Sequence, residues 1–325
     1  MTPSSFDYLR TFVKERSGID LAPDKKYLVE TRLQPVARAH GVEGLDALVQ
    51  TLRGQPTGVL KDAVIEAMTT NESSFFRDRT PFELFKTVMV PELMTARRSA
   101  RRLRIWCAAA STGQEPYSLA MTIKELGAQL SGWSLSILGT DLSRDVLDKA
   151  KAGVYSQFEV QRGMPTPMLL KYFTQEGEQW RIDPSLRSMC DFRPFNLLDS
   201  FTGLGQFDIV FCRNVLIYFD QETKRDILDR IKKSLAPDGY LVLGSAETVM
   251  GITQSFEQVS GARGLYRPAG TGQESAAQTG AAATRQVAAL RQTADAMKAA
   301  IEPARPVLPS SGDRPVFTAR TALKR

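Results

Sequence analysis

The stretch LRIWCAAASTGQEPYSLA, residues 103–120, decides the fold. It begins as a short apolar run, passes through small side chains with one glycine, Gly113, and ends with helical spacing that opens at Glu115 and Pro116. A strand running through a tight turn into a helix is the repeating unit of a parallel sheet. Downstream the unit recurs: SLSILGTD (134–141) precedes a helix over 144–150, and FDIVFCRN (207–214) precedes a helix over 221–235. GYLVLGS (239–245) follows, with a last pair of strands around FEQV and GLYRP. Strands alternating with crossover helices predict an α/β, doubly wound, Rossmann-like domain over about 103–268. The interval 154–193 breaks the alternation. Its turn formers in RGMPTP and its aromatic-rich pieces around Gly177 and Pro184 predict a small antiparallel β-subdomain inserted there.

Upstream, residues 1–70 read as an all-helical N-terminal domain. FDYLRTFVKERSGI, YLVETRL and LDALVQTL carry apolar residues three and four apart, separated by glycine and proline breaks. Residues 71–102 form a linker. From 270 onward, fourteen alanines, four prolines and one aromatic cannot bury enough apolar surface to offset ordering entropy. A mostly disordered tail is therefore expected over 269–325, with one stretch, 287–301, spaced like an amphipathic helix.

Composition narrows the function classes. At 42% hydrophobic and 24% charged, the chain is that of a globular protein. No apolar run approaches the roughly 18 to 20 residues a membrane span needs, and the polar start does not resemble a signal peptide, so no membrane insertion and a cytoplasmic location are expected. Cys107, Cys190 and Cys212 lie far apart and His40 is the sole histidine, which leaves no disulfide framework, no Cys/His zinc site and no metal. Histidine-dependent nucleophilic catalysis would have to use His40 alone. The net charge of +6 concentrates in the tail and in Arg97, Arg98, Arg101, Arg102 and Arg104. That run reads either as a solvated helix end and linker or as a docking patch for an acidic partner. No aromatic residue is interleaved with it for base stacking, which disfavours nucleic acid.

In an open α/β sheet, ligands bind at the carboxyl ends of the strands. The turn after the first strand lacks G-x-G-x-x-G, and Glu115 would repel a pyrophosphate but accept a cation. This disfavours a nicotinamide-dependent oxidoreductase. Asp141 ends the next strand, where an acid can take ribose hydroxyls. Asn196 and Asn214 each follow a strand, and their amides can pair with an adenine edge or an amino-acid moiety. A cation-accepting Glu, a ribose-accepting Asp and turns unsuited to phosphate fit S-adenosyl-L-methionine.

Over about 5–268 the sequence resembles the CheR-type chemotaxis receptor methyltransferases. The likeness is carried by NESSFFRD (71–78), AAASTGQEPYSLA (108–120), GTDLS (139–143), EVQRGMP (159–165), FNLLD (195–199) and CRNVLIYFD (212–220). It implies S-adenosylmethionine-dependent O-methylation of glutamates in the cytoplasmic domain of a methyl-accepting receptor, with S-adenosylhomocysteine as product. It also implies a cofactor site at Asn71, Ser73, Arg77, Glu115, Asp141, Asn196, Leu197, Asn214 and Val215, with Arg77 able to pair with the methionine carboxylate, Tyr218 near the transferable methyl, and Arg77 and Tyr218 as the candidates for orienting the acceptor carboxylate. Members often dock the receptor through a basic second helix. Here that helix keeps Arg32 and Arg38, but Pro35, Val36 and Ala37 stand between them. The competing reading is a non-catalytic interaction module that keeps the fold.

Overall fold

The quoted stretch is the centre of the sheet. In the computed structural model, which describes residues 1–54 and 58–270, it forms β1 (Arg102–Ala108), turns, and enters α7 (Gln114–Leu126). The last four residues of β1 are buried, as expected of a parallel strand covered on both faces. Trp106 is fully buried against Phe207, Phe201 and Phe195, and its indole N–H donates to the Thr140 hydroxyl at 2.9 Å, so no polar atom is stranded.

The helical N-terminal region upstream is built from α1 (Pro3–Ser17), α2 (Lys26–Ala39), α3 (Gly44–Gly54) and α4 (Val59–Met68). Thr2 caps α1, and Gly18, left-handed at φ 78°, ends it. Phe6, Leu9, Phe12 and Val13 of α1 share one core with Val29 and Leu33 of α2 and Leu48 and Leu52 of α3. The linker folds as α5 (Thr80–Leu84) and α6 (Val90–Ala96), joined through a π-helical turn over Phe85–Met89.

After α7 come β2 (Ser134–Asp141) and α8 (Arg144–Ala152). A separate three-stranded antiparallel sheet, ordered β3–β5–β4, is then built from β3 (Val154–Ser156), β4 (Phe173–Glu176) and β5 (Gln179–Ile182). It carries the short helices α9 (Gln157–Gln161), α10 (Thr166–Tyr172) and α11 (Pro184–Arg187). The chain returns through β6 (Cys190–Pro194), β7 (Phe207–Cys212), α12 (Gln221–Ser234), β8 (Leu235–Leu243), β9 (Phe256–Gln258) and β10 (Leu265–Pro268).

The main sheet runs β6–β2–β1–β7–β8–β10–β9, parallel as far as β8 and antiparallel through the last pair. β1 connects to β2 on one side and β7 to β8 on the other, so the strand order reverses between β1 and β7 and opens a crevice at their carboxyl ends. One expectation is corrected here: residues 190–193 do not belong to the insertion, because Cys190–Pro194 pairs in parallel with Ile137–Asp141 of β2. Only Phe192 of β6 is buried, so the strand has the pattern of a polar hairpin piece although it is the sheet's edge.

The arginine run divides. Arg97 binds Asp208 at 2.8 Å and grips Asp238 with both terminal nitrogens, while Arg104 donates to the carbonyls of Gln206 and Leu204 and lies over the Phe207 ring. These two fasten the amino edge of the sheet. Arg98, Arg101 and Arg102 are exposed, with no side-chain hydrogen bond or ion pair among the described residues. No described helix is long and apolar enough to cross a membrane. Residues 271–325, where the expected tail and the 287–301 helix fall, lie outside the described residues.

Candidate functional site

The crevice is shaped by backbone that ordinary side chains avoid. After β1, Ala109 and Ser111 are left-handed at φ 62° and 50°, and after β7 Asn214 has φ 58°. For Ala109 and Ser111 this costs about 1–2 kcal/mol each, less for an asparagine, so the surroundings must hold the turns. The Asp141 carboxylate does so on one side, accepting from Ser111 N at 2.8 Å and Ser143 N at 3.0 Å. On the other, Glu247 accepts from the backbone N–H groups of Asn214, Val215, Ile217 and Gly244. Gly244 is required there, since a Cβ would come within 2.7 Å of Glu247 Oε2. At Gly113 the missing Cβ leaves room for Ala150, Tyr117 and Tyr155, so this glycine serves close packing rather than ligand approach.

One cavity gathers the expected residues from five segments and adds a sixth. The linker supplies Asn71, Ser73 and Arg77, α7 supplies Glu115, and the end of β2 supplies Asp141. The turn after β6 adds Asn196 and Leu197, and that after β7 adds Asn214, Val215 and Tyr218. The sixth segment is unforeseen: Ser17 and Ile19 of the helical domain form part of the wall. Ile19 bridges Phe219, Asp20 N donates to the Tyr218 carbonyl at 2.8 Å, and Lys14 pairs with Asp220. Gly18 is needed at this seam, because a Cβ would meet the Phe219 ring at 2.9 Å.

Arg213, within the CRN string but assigned no role by the sequence, also lines the cavity and is nearly fully buried. It donates to Glu115 Oε2 at 2.7 Å, to Asp78 Oδ2 at 2.7 Å and to the Arg77 carbonyl at 2.9 Å. Glu115, expected to face a cation, thus already has one inside the protein. Burial pushes its carboxyl above the usual range, and Arg213 opposes the shift. Burial likewise raises Asp141, against the N–H groups of Ser143, Ser111 and Leu142. Asn196 donates to the Arg16 carbonyl and accepts from Leu198 N, while Asn71 donates to Thr69 Oγ1 and its carbonyl accepts from Ser111 Oγ. Among the described residues the Arg77 guanidinium makes one hydrogen bond, to the Glu72 carbonyl, and the Tyr218 hydroxyl has no partner.

Arg32 and Arg38 do not join the cavity. Arg32 donates to the carbonyls of Met68 and Thr69 and to the Thr70 hydroxyl, which closes the end of α4, and Arg38 is exposed. The EVQRGMP string finds its physical meaning at the linker. Gly163, at φ 86°, packs so closely on Phe75 that a Cβ would stand 2.1 Å from the Phe75 carbonyl oxygen, and Arg162 pairs with Glu72. Phe75 in turn meets Tyr155 and Phe173 edge-on, and the Tyr155 hydroxyl donates to the Thr112 carbonyl. The inserted sheet therefore braces the linker and the turn after β1.

Two family models match this chain: the CheR methyltransferase all-alpha domain over residues 4–69 and the CheR methyltransferase SAM-binding domain over 71–265. The chain belongs to the CheR methyltransferase family. Among its curated relatives, chemotaxis protein methyltransferase Cher2 of Pseudomonas putida is 43% identical over 264 residues, covering 80% of this chain and 96% of the relative. Chemotaxis protein methyltransferase 1 of Pseudomonas aeruginosa is 45% identical over 271 residues, covering 81% and 97%. The chemotaxis protein methyltransferase of Escherichia coli is 35% identical, covering 79% and 88%. As a CheR protein, this chain is a methyltransferase of chemotaxis that uses S-adenosylmethionine.

Proposed function

We propose that this methyltransferase esterifies glutamate side chains in the cytoplasmic domain of a methyl-accepting chemotaxis receptor, and that it acts in the cytoplasm. The observation that carries the reading is the state of the acids in the cavity. Three line it, and each is engaged: Glu72 with Arg162, Glu115 with Arg213, and Asp141 with backbone N–H groups. The only histidine, His40, is exposed at the end of α2 and does not line the cavity. A site without a free base suits an acceptor that is ionised already, and a glutamate, with a reference pKa near 4.3, is such an acceptor at pH 7.

The donor set fits S-adenosylmethionine. Asp141 offers a carboxylate to ribose hydroxyls, the Glu115–Arg213 pair and Arg77 suit an ammonium and a carboxylate, and Asn196, Leu197, Asn214 and Val215 form the wall for the base. Asn71 and Ser73 complete the linker side. Bound there, the cofactor supplies an already activated methyl group and leaves as S-adenosylhomocysteine. Arg77 and Tyr218 orient the incoming carboxylate and exclude water, which is what such a displacement needs from a protein.

The reading is tested by transfer of labelled methyl from S-adenosylmethionine to receptor-containing membranes. Label released by mild base marks carboxyl esters; base-stable label overturns the ester assignment. Arg77→Lys is expected to cut turnover by about tenfold or more, because an ammonium cannot replace a planar fork on a carboxylate. Turnover near the parent's in that assay removes Arg77 from the site.

The exposed arginines point the other way. Arg98, Arg101 and Arg102 sit at the amino end of β1, roughly 20 Å of strand from the carboxyl-end cavity at about 3.3 Å per residue. That exceeds the Debye length of about 10 Å at 0.1 M salt. Neutralising all three is therefore expected to change receptor methylation by less than about twofold at that ionic strength. A steep, salt-dependent loss would make the run a docking patch.

A further inference from the structure

The linker reaches the cavity through a turn in which three residues with side chains are left-handed: Phe76, Asp78 and Arg79, at φ 49°, 68° and 51°. Arg213 faces this turn from the end of β7. One of its terminal nitrogens takes both the Arg77 carbonyl and the Asp78 carboxylate, and the other takes Glu115. Its guanidinium also lies 5.9 Å from the centroid of the Phe82 ring in α5. Its Nε is buried with no hydrogen-bond partner among the described residues. A buried donor left unpaired while its neighbours make three bonds indicates a guanidinium whose orientation is set by the turn.

We propose that Arg213 and Asp78 are positioning residues for methyl transfer: together they hold the strained turn so that Arg77, whose carbonyl Arg213 binds, keeps its own guanidinium in the cavity. The inference rests on the reading that Arg77 acts on the cofactor. Lysine cannot do the same, because three acceptors from two segments need a rigid, branched donor. Asp78 is the better position to probe, since it lies outside the cavity lining and its side chain is 37% exposed. Asparagine tolerates the left-handed region and keeps an acceptor oxygen, so Asp78→Asn removes the charge with little change to the backbone.

The test is S-adenosylhomocysteine affinity by calorimetry in the full chain, which needs no receptor. Asp78→Asn is made alone and in an Arg77→Ala background, with melting temperatures recorded. If the pair acts through Arg77, Asp78→Asn weakens binding about tenfold in the parent and by no more than about twofold once Arg77 is gone, because coupled residues are not additive. Equal losses in both backgrounds, or no loss in the parent while Arg77→Ala weakens binding, overturn the proposal. Unchanged binding in Arg77→Ala itself removes the reading of Arg77, and the proposal with it. If Asp78→Asn folds poorly, Arg213→Lys in the same two backgrounds reads the same coupling.

Discussion

Glu247→Gln is expected to lower the stability of the folded chain by about 3 kcal/mol, and the melting temperature by roughly 6 to 12 °C. Each Glu247 oxygen accepts from two backbone N–H groups, Oε1 from Val215 and Ile217 and Oε2 from Asn214 and Gly244. A glutamine has one acceptor oxygen and one NH2 group, so whichever way it turns, two buried donors face another donor. Glu247 is 9% exposed, which leaves water little access to compensate. The segment it fixes carries Asn214, Val215 and Tyr218, so cofactor affinity should fall with stability. Thermal unfolding and calorimetry on the same sample check both, and an unchanged melting temperature would mean that the segment holds its shape without Glu247.

Asp141→Ala has the other large effect, read as affinity in a sample shown to be folded. Two ribose hydroxyls would lose a charged acceptor, worth about 1.5 to 3 kcal/mol, so S-adenosylmethionine affinity is expected to drop roughly ten- to a hundredfold. The fold loses an acceptor too, because the backbone N–H groups of Ser111 and Ser143 are left unpaired, so the melting temperature should fall as well. Burial raises the Asp141 carboxyl, so ionising it opposes folding: any stability from the group is present at low pH and is lost as pH rises through its folded-state value. The same shift sets the pH behaviour of binding. As pH falls, Asp141 takes up its proton earlier than an ordinary aspartate, and affinity should decline from above the usual carboxylate range. The alanine variant should lack that step. Parent-like calorimetric affinity in a folded Asp141→Ala sample would place the ribose elsewhere.

The parts of this molecule that are legible in its sequence are those written locally. The strand, small-residue turn and helix from 103 to 120 lie within one span of chain, and Asp141 and Asn214 are reached simply by counting to the next strand ends. What stays hidden depends on pairing between distant segments. Nothing near Glu247 announces that it will cap a loop some thirty residues upstream, and nothing in Ser17 or Ile19 points to a cavity built around β1 and β7. Arg213 stands inside a motif string, but its three partners come from the linker and α7. β6 reads as part of the insertion because an edge strand with one buried side chain has no core signature. The bonds by which Arg32 closes the end of α4 are hidden in the same way, because its acceptors, the Met68 and Thr69 carbonyls, lie more than thirty residues away.

The bridge from Ile19 to Phe219 also sets an order of events during synthesis. The first partner leaves the ribosome two hundred residues before the second. At about 5–20 residues per second, that is roughly 10 to 40 seconds in which the helical domain waits with Gly18 and Ile19 uncovered. Closing so long a loop also makes this seam among the slow contacts of refolding. A nascent chain released before Phe219 emerges would lack the cavity wall altogether, so capacity to bind the cofactor should arise only after that residue has been made and docked.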